Sequence, residues 1–365
     1  MEPFSGEVVG LSLRARGKKV KIRVAVVGGT GYTGFELVTL LLHHPKVELT
    51  EITSQSYAGQ PISVVFPALQ ETCSLVCAQM DLTRLVDRAD CLFVALPHKT
   101  AMEVVAPLVR AGKRVVDLSA DFRFRSPEIY EKWYQEHTAK DFLAEAVYGL
   151  PELHGDKIRT ANLVGNPGCY PTGVILAAAP LLAGGVVDPD SLIADCKSGV
   201  SGAGRAPTLT THFCEANEGF TAYKVGEHRH TPEIEQELST IAKRQIKVVF
   251  TPHLVPMSRG ILTTLYANLS KTVSEDEVRG LYQEAYERAV FVRVLQQGHL
   301  PSTLYVRGTN FCDIGWRIER RTGRIIVISA IDNLTRGAAG QAICNMNLMF
   351  GFDEAEGLRL RAWQP

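Results

Sequence analysis

"VKIRVAVVGGTGYTGFELVTLLLHHP" occupies residues 20–45 and decides the fold of the first half of the chain. Residues 20–27 form a β-branched apolar run, which is typical of a strand buried in a parallel sheet. A glycine-rich turn follows at once, and residues 35–44 then repeat apolar side chains at helical spacing until Pro45 ends the run. A strand, a turn and a helix in this order predict the first unit of an alternating α/β domain.

The glycine-rich turn carries the spacing G-x-G-x-x-G at Gly29, Gly31 and Gly34. Glycine lets the backbone turn tightly and approach a pyrophosphate, and the free N–H groups of the next helix face the anion. A strand before the motif and a helix after it favour a dinucleotide site over a glycine-rich turn without a ligand. The predicted cofactor loop comprises Gly28, Gly29, Thr30, Gly31, Tyr32, Thr33 and Gly34.

The end of the second predicted strand indicates which dinucleotide binds. An NAD site usually has Asp or Glu there to hold the ribose hydroxyls, whereas this strand runs into Ser54, Gln55 and Ser56. Their hydroxyl and amide groups can hydrogen-bond a 2′-phosphate that a carboxylate would repel, so NADP is the predicted cofactor. Glu51 lies a few residues upstream and leaves NAD open.

Strand-like runs at 47–53, 91–97 and 114–120 alternate with helical segments, which predicts a Rossmann-type, doubly wound parallel sheet. Pro97, at the end of one of these runs, is included in the predicted cofactor site. The order of elements in the second half instead predicts an α+β domain on an antiparallel or mixed sheet. The predicted segments are an extension over 1–20, a dinucleotide-binding domain over 21–165, a second domain over 166–334, and a C-terminal segment over 335–365 whose helix packs back on the first domain.

Length and composition predict a soluble two-domain protein. The chain has 365 residues, 45% of them hydrophobic and 21% charged, and its 39 basic residues balance its 39 acidic ones. This balance gives no indication of nucleic acid or a membrane surface as a partner. The sequence contains no apolar run of about 18 residues, and residues 1–20 lack the apolar core of a signal peptide.

The eight cysteines are scattered, and none belongs to a C-x-x-C pair. This pattern disfavours a zinc ribbon and a disulfide framework, and it predicts a reducing cytoplasm. Most of the cysteines are expected to be small buried apolar side chains, as Cys91 in "DCLFVAL" illustrates.

Cys169 lies in "GNPGCYPTG" (165–173), between a Pro-Gly turn and the start of a predicted helix. The helix dipole and the free N–H groups at a helix start favour a thiolate, which is a strong nucleophile towards an acyl carbon. We therefore predict that Cys169 is the nucleophile and that iodoacetamide modifies it before the other cysteines. A packing role for Cys169 is the alternative.

"GEHRH" supplies two histidines, His228 and His230, in a polar setting. Histidine changes charge most easily near neutral pH and is suited to exchange a proton with a thiol. Surface histidines, or half of a metal site with Glu227, are the alternatives. Because the spacing matches neither H-x-x-x-H nor H-E-x-x-H, no metal is predicted.

Seven blocks between about residues 21 and 352 together resemble the N-acetyl-gamma-glutamyl-phosphate reductases, relatives of aspartate-semialdehyde dehydrogenase. The blocks are "GGTGYTGFELVTLLLHHP", "DLSADFR", "GNPGCYPTG", "SGVSGAGR", "GEHRHTPEIEQ", "FTPHLVPMSRGI" and "DNLTRGAAGQA". The resemblance implies a second domain like that of glyceraldehyde-3-phosphate dehydrogenase, which carries catalysis, substrate binding and oligomerisation. It also implies NADPH as cofactor and a homo-oligomer, commonly a tetramer.

The resemblance further implies roles for individual residues. Cys169 matches the nucleophile, and His230 matches the general acid and base. The positions at which we expect contacts to substrate anions are Arg123, Arg205, Arg259 and, in support, His228. The chain departs from the family at Gln55, where many members have Arg, and at Cys344, where Gln is more usual.

The implied reaction reduces N-acetyl-L-glutamyl 5-phosphate to N-acetyl-L-glutamate 5-semialdehyde, with release of phosphate, through a thioester on Cys169. It is a step of arginine biosynthesis. Three alternatives remain open. The chain could reduce a carrier-linked aminoadipyl phosphate, it could act on the shorter substrate of aspartate-semialdehyde dehydrogenase, or it could be a non-catalytic NADP-binding sensor. The presence of both Cys169 and His230 favours an enzyme over the sensor.

Overall fold

The computed structural model describes residues 21–362, so the predicted extension over residues 1–20 lies outside the described residues. The strands of the first domain are β1 (Ile22–Val27), β2 (Val47–Thr53), β3 (Cys91–Val94), β4 (Arg114–Asp117), β5 (Val147–Tyr148) and β6 (Leu163–Gly165). Its helices are α1 (Tyr32–Leu42), α2 (Ile62–Val65), α3 (Leu82–Arg88), α4 (Thr100–Arg110), α5 (Pro127–Trp133) and α6 (Pro151–Thr160).

The six strands form one parallel sheet in the order β2-β1-β3-β4-β6-β5. Side chains of β1 enter two separate cores, Val24 and Val26 on one face and Ala25 and Val27 on the other, because helices cover both faces. The predicted doubly wound sheet is confirmed. The chain leaves β1 for β2 on one side and returns to β3 on the other, so the carboxyl ends of β1 and β3 flank the crevice where such sheets bind ligands.

The second domain is built on a seven-stranded mixed sheet in the order β11-β12-β13-β10-β7-β9-β8. Its strands are β7 (Ile193–Gly199), β8 (Thr221–Ala222), β9 (Val249–Val255), β10 (Ile261–Asn268), β11 (Val292–Val294), β12 (Cys312–Glu319) and β13 (Arg324–Ile331). Its helices are α7 (Cys169–Ala183), α8 (Phe213–Ala216), α9 (Thr231–Ala242), α10 (Glu275–Tyr286) and α11 (Thr303–Val306). The pairs β11–β12 and β7–β9 are parallel and the others are antiparallel, so the predicted α+β domain is confirmed.

Helix α7 holds the centre of the second domain. All its residues from Tyr170 to Leu182 are buried, as expected for a helix that is apolar on every side. Cys169, which precedes this run, is the first residue of the helix and is half-buried. The packing of α7 therefore fixes the position of Cys169 at the boundary between the two domains.

The last helix, α12 (Gly340–Met349), returns to the first domain. A wide π-helical turn over Thr335–Ala339 leads into it, and every residue of α12 is buried. Ile343 and Met346 belong to the same core cluster as Val24 of β1. The chain therefore completes the first domain with residues from its opposite end.

An ion cluster joins the two domains beside the cofactor loop. The Arg259 guanidinium lies 2.9 Å from the Glu36 carboxylate on α1 and 3.0 Å from the Asp332 carboxylate. Thr335 Oγ1 donates a hydrogen bond to Glu36 and accepts one from Arg259. Because these contacts connect α1 with the loop after β13, they fix the cofactor helix against the second domain.

Candidate active site

A cavity of about 290 Å³ lies between the two domains at the carboxyl ends of β1 and β3. The first domain contributes the cofactor loop, Ala95, Leu96 and Arg123 to its wall, and the second contributes Cys169, His230 and Arg205. Cys169 and His230 are 61 positions apart in the sequence and line the same space. Among the predicted site residues, those outside this cavity wall are Gly28, Gly29, Thr30, Ser54, Gln55, Ser56, Pro97, His228 and Arg259.

The turn before Cys169 is shaped by a close approach of His230. Gly168 is the N-cap of α7, and a Cβ atom at this position would lie 2.5 Å from His230 Nε2. Only glycine therefore allows the imidazole to pack over the residue next to the cysteine. This contact brings His230 alongside the nucleophile's turn.

The pKa of Cys169 differs from the sequence-based expectation. Burial raises the pKa of the thiol to about 11, although the Tyr170 backbone N–H and the Arg123 charge lower it. Desolvation therefore opposes the expected thiolate more strongly than the helix N-terminus favours it, and the nucleophilic role of Cys169 stays a prediction. Cys214 is exposed and Cys169 is half-buried, and the order in which iodoacetamide modifies the cysteines stays a prediction.

His230 lies just before α9, and the His228 side chain fixes its backbone. The His230 backbone N–H donates a hydrogen bond of 3.1 Å to His228 Nδ1, and the two rings are 4.9 Å apart. His228 is buried among Tyr170, Tyr223 and Phe250 rather than in the cavity wall. This position is consistent with the supporting role predicted for His228, which stays a prediction.

Both histidines are uncharged at neutral pH. Burial lowers the pKa of His228 to about 4, and burial together with the neighbouring His228 and Arg123 charges lowers the pKa of His230 well below its ordinary value. Nδ1 of His230 is buried and has no hydrogen-bond partner among the described residues. A neutral imidazole beside a neutral thiol can accept the thiol proton when a substrate arrives.

Glu233 is a member of the site that the sequence analysis missed. It is fully buried one turn after His230 on α9, and its carboxylate accepts hydrogen bonds from the Gly168 N–H at 2.8 Å and from the Tyr148 hydroxyl at 2.8 Å. The Arg123 guanidinium lies 3.2 Å from its other oxygen. Glu233 thus ties the turn before Cys169 to α9, which begins directly after His230, and its spacing of three residues from His230 was the available signal.

The charge of Arg123 is already compensated inside the protein. Its guanidinium donates hydrogen bonds to Glu233 and to the backbone oxygens of Asn166 and Leu118. Three of its five N–H groups are committed in this way, which leaves two at the cavity wall.

Arg205 lies in the wall of the cavity, whereas Arg259 lies outside it. Arg205 lines the cavity but reaches the cofactor loop, where its Nη1 donates a hydrogen bond of 3.1 Å to the Thr30 carbonyl. Arg259 lies outside the cavity wall and is engaged by the carboxylates of Glu36 and Asp332. In this structure Arg259 bridges the two domains, and its contact with substrate stays a prediction.

The cofactor loop has the geometry that a dinucleotide requires. Gly28 adopts φ +83°, and a Cβ there would lie 2.6 Å from the Ala95 carbonyl. A Cβ on Gly34 would lie 2.5 Å from the Gly29 backbone, so this glycine allows α1 to pack closely on the turn. Gly31 caps α1 without any side-chain hydrogen bond, which leaves the helix N–H groups to an anion. These residues fit a bound pyrophosphate.

The end of β2 also fits a phosphorylated ribose. Ser54 is buried, and its hydroxyl is 2.9 Å from that of Thr30 in the cofactor loop, while Gln55 and Ser56 are exposed. The carboxylate of Glu51, which left NAD open, is held by Arg84 at 2.9 Å and by Arg88 at 3.3 Å. It is therefore engaged on α3 rather than free to hold ribose hydroxyls. Pro97 is exposed.

Two kinds of feature are absent from residues 21–362. No group of three or more His, Cys, Asp or Glu side chains is arranged in this part of the chain to hold a metal ion. None of its helices combines the length and the apolar character needed to traverse a bilayer.

Solved structures share the fold at low sequence identity. Aspartate semialdehyde dehydrogenase II from Vibrio cholerae is 17% identical and superposes with a TM-score of 0.69, covering 91% of this chain and 99% of that one. An aspartate semialdehyde dehydrogenase from Candida albicans, solved with NADP, is 16% identical with a TM-score of 0.69 and covers 90% of this chain and 98% of that one.

Family models and curated relatives identify the family. Residues 23–161 match the semialdehyde dehydrogenase NAD binding domain, and residues 169–333 match the semialdehyde dehydrogenase dimerisation domain. The N-acetyl-gamma-glutamyl-phosphate reductase of Syntrophobacter fumaroxidans is 59% identical over 94% of this chain and 100% of its own length. That of Desulfotalea psychrophila is 56% identical over 93% of this chain and 98% of its own length. The chain therefore belongs to the N-acetyl-gamma-glutamyl-phosphate reductase family of the semialdehyde dehydrogenases.

Proposed function

We propose that this chain catalyses the NADPH-dependent reduction of N-acetyl-L-glutamyl 5-phosphate to N-acetyl-L-glutamate 5-semialdehyde, with release of phosphate, in arginine biosynthesis. The observation that carries the proposal is one interdomain cavity whose wall includes Cys169, His230 and the cofactor loop. The shared name of the curated relatives supports the substrate, and the related fold solved with NADP supports the cofactor.

In the first half of the reaction, the Cys169 thiol and the His230 imidazole both start uncharged. His230 accepts the thiol proton, and the Cys169 sulfur attacks the acyl carbon of the acyl phosphate. The bond between that carbon and the phosphate oxygen breaks, and phosphate leaves with a proton from solution. The acyl group is then held as a thioester on Cys169, and the transferred proton remains on His230.

The second half converts the thioester to the aldehyde. NADPH, when bound, supplies the hydride that reduces the thioester carbon. His230 donates its proton to the resulting oxyanion and takes it back as the carbon–sulfur bond breaks and the aldehyde departs. The proton then returns to the Cys169 sulfur, which restores the starting state of both residues.

Backbone donors at the start of α7 stabilise the oxyanion. The Tyr170 N–H already lowers the pKa of the Cys169 thiol, so it acts on the position where negative charge develops. Glu233 holds the adjacent Gly168 N–H and thereby fixes the orientation of this turn. The two uncommitted N–H groups of Arg123 are available to a substrate carboxylate.

We propose that the chain forms a homo-oligomer, commonly a tetramer in this family, through its second domain. Helix α7 covers one face of the mixed sheet, whereas Tyr266 on β10 and Ile328 on β13 lie half-buried on the opposite face. The segment before α9 exposes Leu209 and Phe213. The description of the matched family model as a dimerisation domain supports assembly through this side. Eight unpaired cysteines support a cytoplasmic location.

The reverse reaction tests the proposed function. Purified protein is mixed with N-acetylglutamate semialdehyde, NADP⁺ and inorganic phosphate, and NADPH is followed by its absorbance. We expect NADPH formation that requires phosphate and that Cys169→Ser abolishes, because a hydroxyl is a far weaker nucleophile at neutral pH.

Three controls separate the alternatives. Aspartate semialdehyde is tested as the shorter substrate, a carrier-linked aminoadipate semialdehyde as the longer one, and omission of phosphate tests for simple aldehyde oxidation. A higher kcat/KM with either alternative aldehyde would overturn the substrate assignment. Cofactor binding without turnover of any of the three aldehydes would identify a sensor.

A further inference from the structure

We propose that Arg205, which belongs to the second domain, binds the 2′-phosphate of the dinucleotide from across the interdomain cleft. This inference rests on the proposed NADP cofactor and assigns a specificity role to a residue outside the dinucleotide-binding domain. It also explains how the chain recognises NADP although Gln55 at the end of β2 carries no charge.

The position of Arg205 is set by three contacts with the first domain. Its Nη1 donates a hydrogen bond of 3.1 Å to the Thr30 carbonyl. Its guanidinium carbon lies 4.8 Å from the centre of the Phe66 ring and 5.9 Å from that of Tyr57. Tyr57 follows the end of β2 by four residues, so the guanidinium lies between the cofactor loop and the β2 end.

These two segments together form the place of the 2′-phosphate in this fold. The residues that end the second strand approach the ribose 2′ position, where an Arg commonly accommodates the phosphate of NADP. The hydroxyls of Thr30 and Ser54 lie 2.9 Å from each other beside this position and can donate to phosphate oxygens. Arg205 adds the positive charge that these hydroxyls lack.

The charge on Arg205 is available to an anion, unlike that of the other two arginines considered for the site. Arg123 lies 3.2 Å from the Glu233 carboxylate, and Arg259 lies within 3.0 Å of two carboxylates. Within residues 21–362, no carboxylate lies in ion-pair distance of Arg205. Its partners are a carbonyl oxygen and two ring faces, which leave N–H groups of the fork uncommitted.

Nucleotide binding to the Arg205→Gln variant tests the inference without turnover. The dissociation constants of NADPH and NADH are measured by titration calorimetry, together with those of 2′,5′-ADP and 5′-AMP, which differ only in the 2′-phosphate. We expect NADPH and 2′,5′-ADP to bind about 10- to 100-fold more weakly to the variant, as for loss of a charged hydrogen bond. Binding of NADH and 5′-AMP should stay within about twofold of wild type.

Two further variants sharpen the test. Arg320→Gln, on the exposed turn between β12 and β13, removes the same charge away from the cleft and should leave all four constants unchanged. Gln55→Arg in the Arg205→Gln background places a guanidinium at the end of β2 and should recover most of the NADPH affinity. Thermal unfolding of each variant with and without ligand checks that the fold is retained.

The outcomes separate this inference from the proposed function. Equal weakening of NADPH and NADH would assign Arg205 to the pyrophosphate and overturn the 2′-phosphate contact. Unchanged binding of all four nucleotides to Arg205→Gln would overturn it as well. Failure of the wild-type protein to bind any of them would overturn the cofactor in the proposed function itself.

Discussion

At the scale of single residues, burial shifts the pKa values of the proposed nucleophile, Cys169, and the proposed base, His230, in opposite directions. Burial raises the pKa of Cys169 to about 11 and lowers the pKa of His230 well below its ordinary value. Both shifts favour the neutral thiol and the neutral imidazole over an ion pair. In the proposed mechanism, the reactive thiolate is therefore generated by proton transfer to His230 during attack.

The pH dependence of alkylation follows from the raised thiol pKa. In a Cys214→Ser background, we expect the rate at which iodoacetamide modifies Cys169 to keep rising above pH 9, because a pKa near 11 leaves little thiolate at any lower pH. Mass spectrometry of peptides after short exposures between pH 6 and 10 measures the rate. A plateau near pH 7 would instead indicate a preformed thiolate and imidazolium pair.

Sequence reasoning found the residues whose chemistry is carried by their type and missed those whose role depends on a distant partner. Cys169 was recognisable because a cysteine in a turn before a helix is unusual. Glu233 was not recognisable, because its hydrogen-bond donors Gly168 and Tyr148 are 65 and 85 positions away in the sequence. The ion pair between Arg259 and Glu36 spans 223 positions, so nothing in the sequence indicated that carboxylates of this protein already pair with Arg259.

At the scale of elements, strand and helix periodicity predicted the first domain well. Strand β2 has the predicted bounds of 47–53, since both ends are marked by a change from alternating to turn residues. The run at 91–97 is shorter than predicted, Cys91–Val94, because Ala95 and Leu96 leave the sheet and line the cavity. The helix predicted over 335–352 begins as a π-helical turn, for which periodicity offers no signal.

The segment just before α9 carries His228 and His230, and their different positions predict unequal effects of substituting them. His230→Asn should reduce kcat by about 10²- to 10⁴-fold with little change in NADPH affinity, as for loss of a general acid–base group. His228→Asn is the matched control and should cost less, because His228 lies behind the cavity wall. Steady-state kinetics and calorimetric NADPH binding measure these two effects.

The pH profile provides a second readout of the same turn. Because the pKa of His230 is lowered, its imidazole stays able to accept the thiol proton below pH 6.5, and kcat/KM of the wild type should fall only at lower pH. Protonation at still lower pH removes the proton acceptor and hence the activity.

A larger loss of kcat in His228→Asn than in His230→Asn would transfer the catalytic role to His228.

At the scale of the whole molecule, the uncovered face of the mixed sheet predicts assembly. Tyr266 and Ile328 occupy this face on neighbouring antiparallel strands, β10 and β13. We expect the wild type to show a mass that is a multiple of the 40.0 kDa protomer in light scattering coupled to gel filtration. Ile328→Arg should lower that mass, because it buries an unpaired charge at the interface.

A matched substitution separates the interface from a general effect of added charge. Val64 on α2 is 60% exposed on the first domain, and Val64→Arg should leave the mass unchanged. A wild-type protein that runs as a 40.0 kDa particle at micromolar concentration would contradict the predicted assembly.

The return of α12 to the first domain has a consequence for biosynthesis of the chain. The core that surrounds Val24 is closed by Ile343 and Met346, more than 300 residues later. While the ribosome is still synthesising the second domain, one apolar face of the first sheet is therefore expected to remain exposed to solvent. The first domain can complete this core only after α12 has been synthesised, so we expect the nascent chain to be prone to aggregation until then.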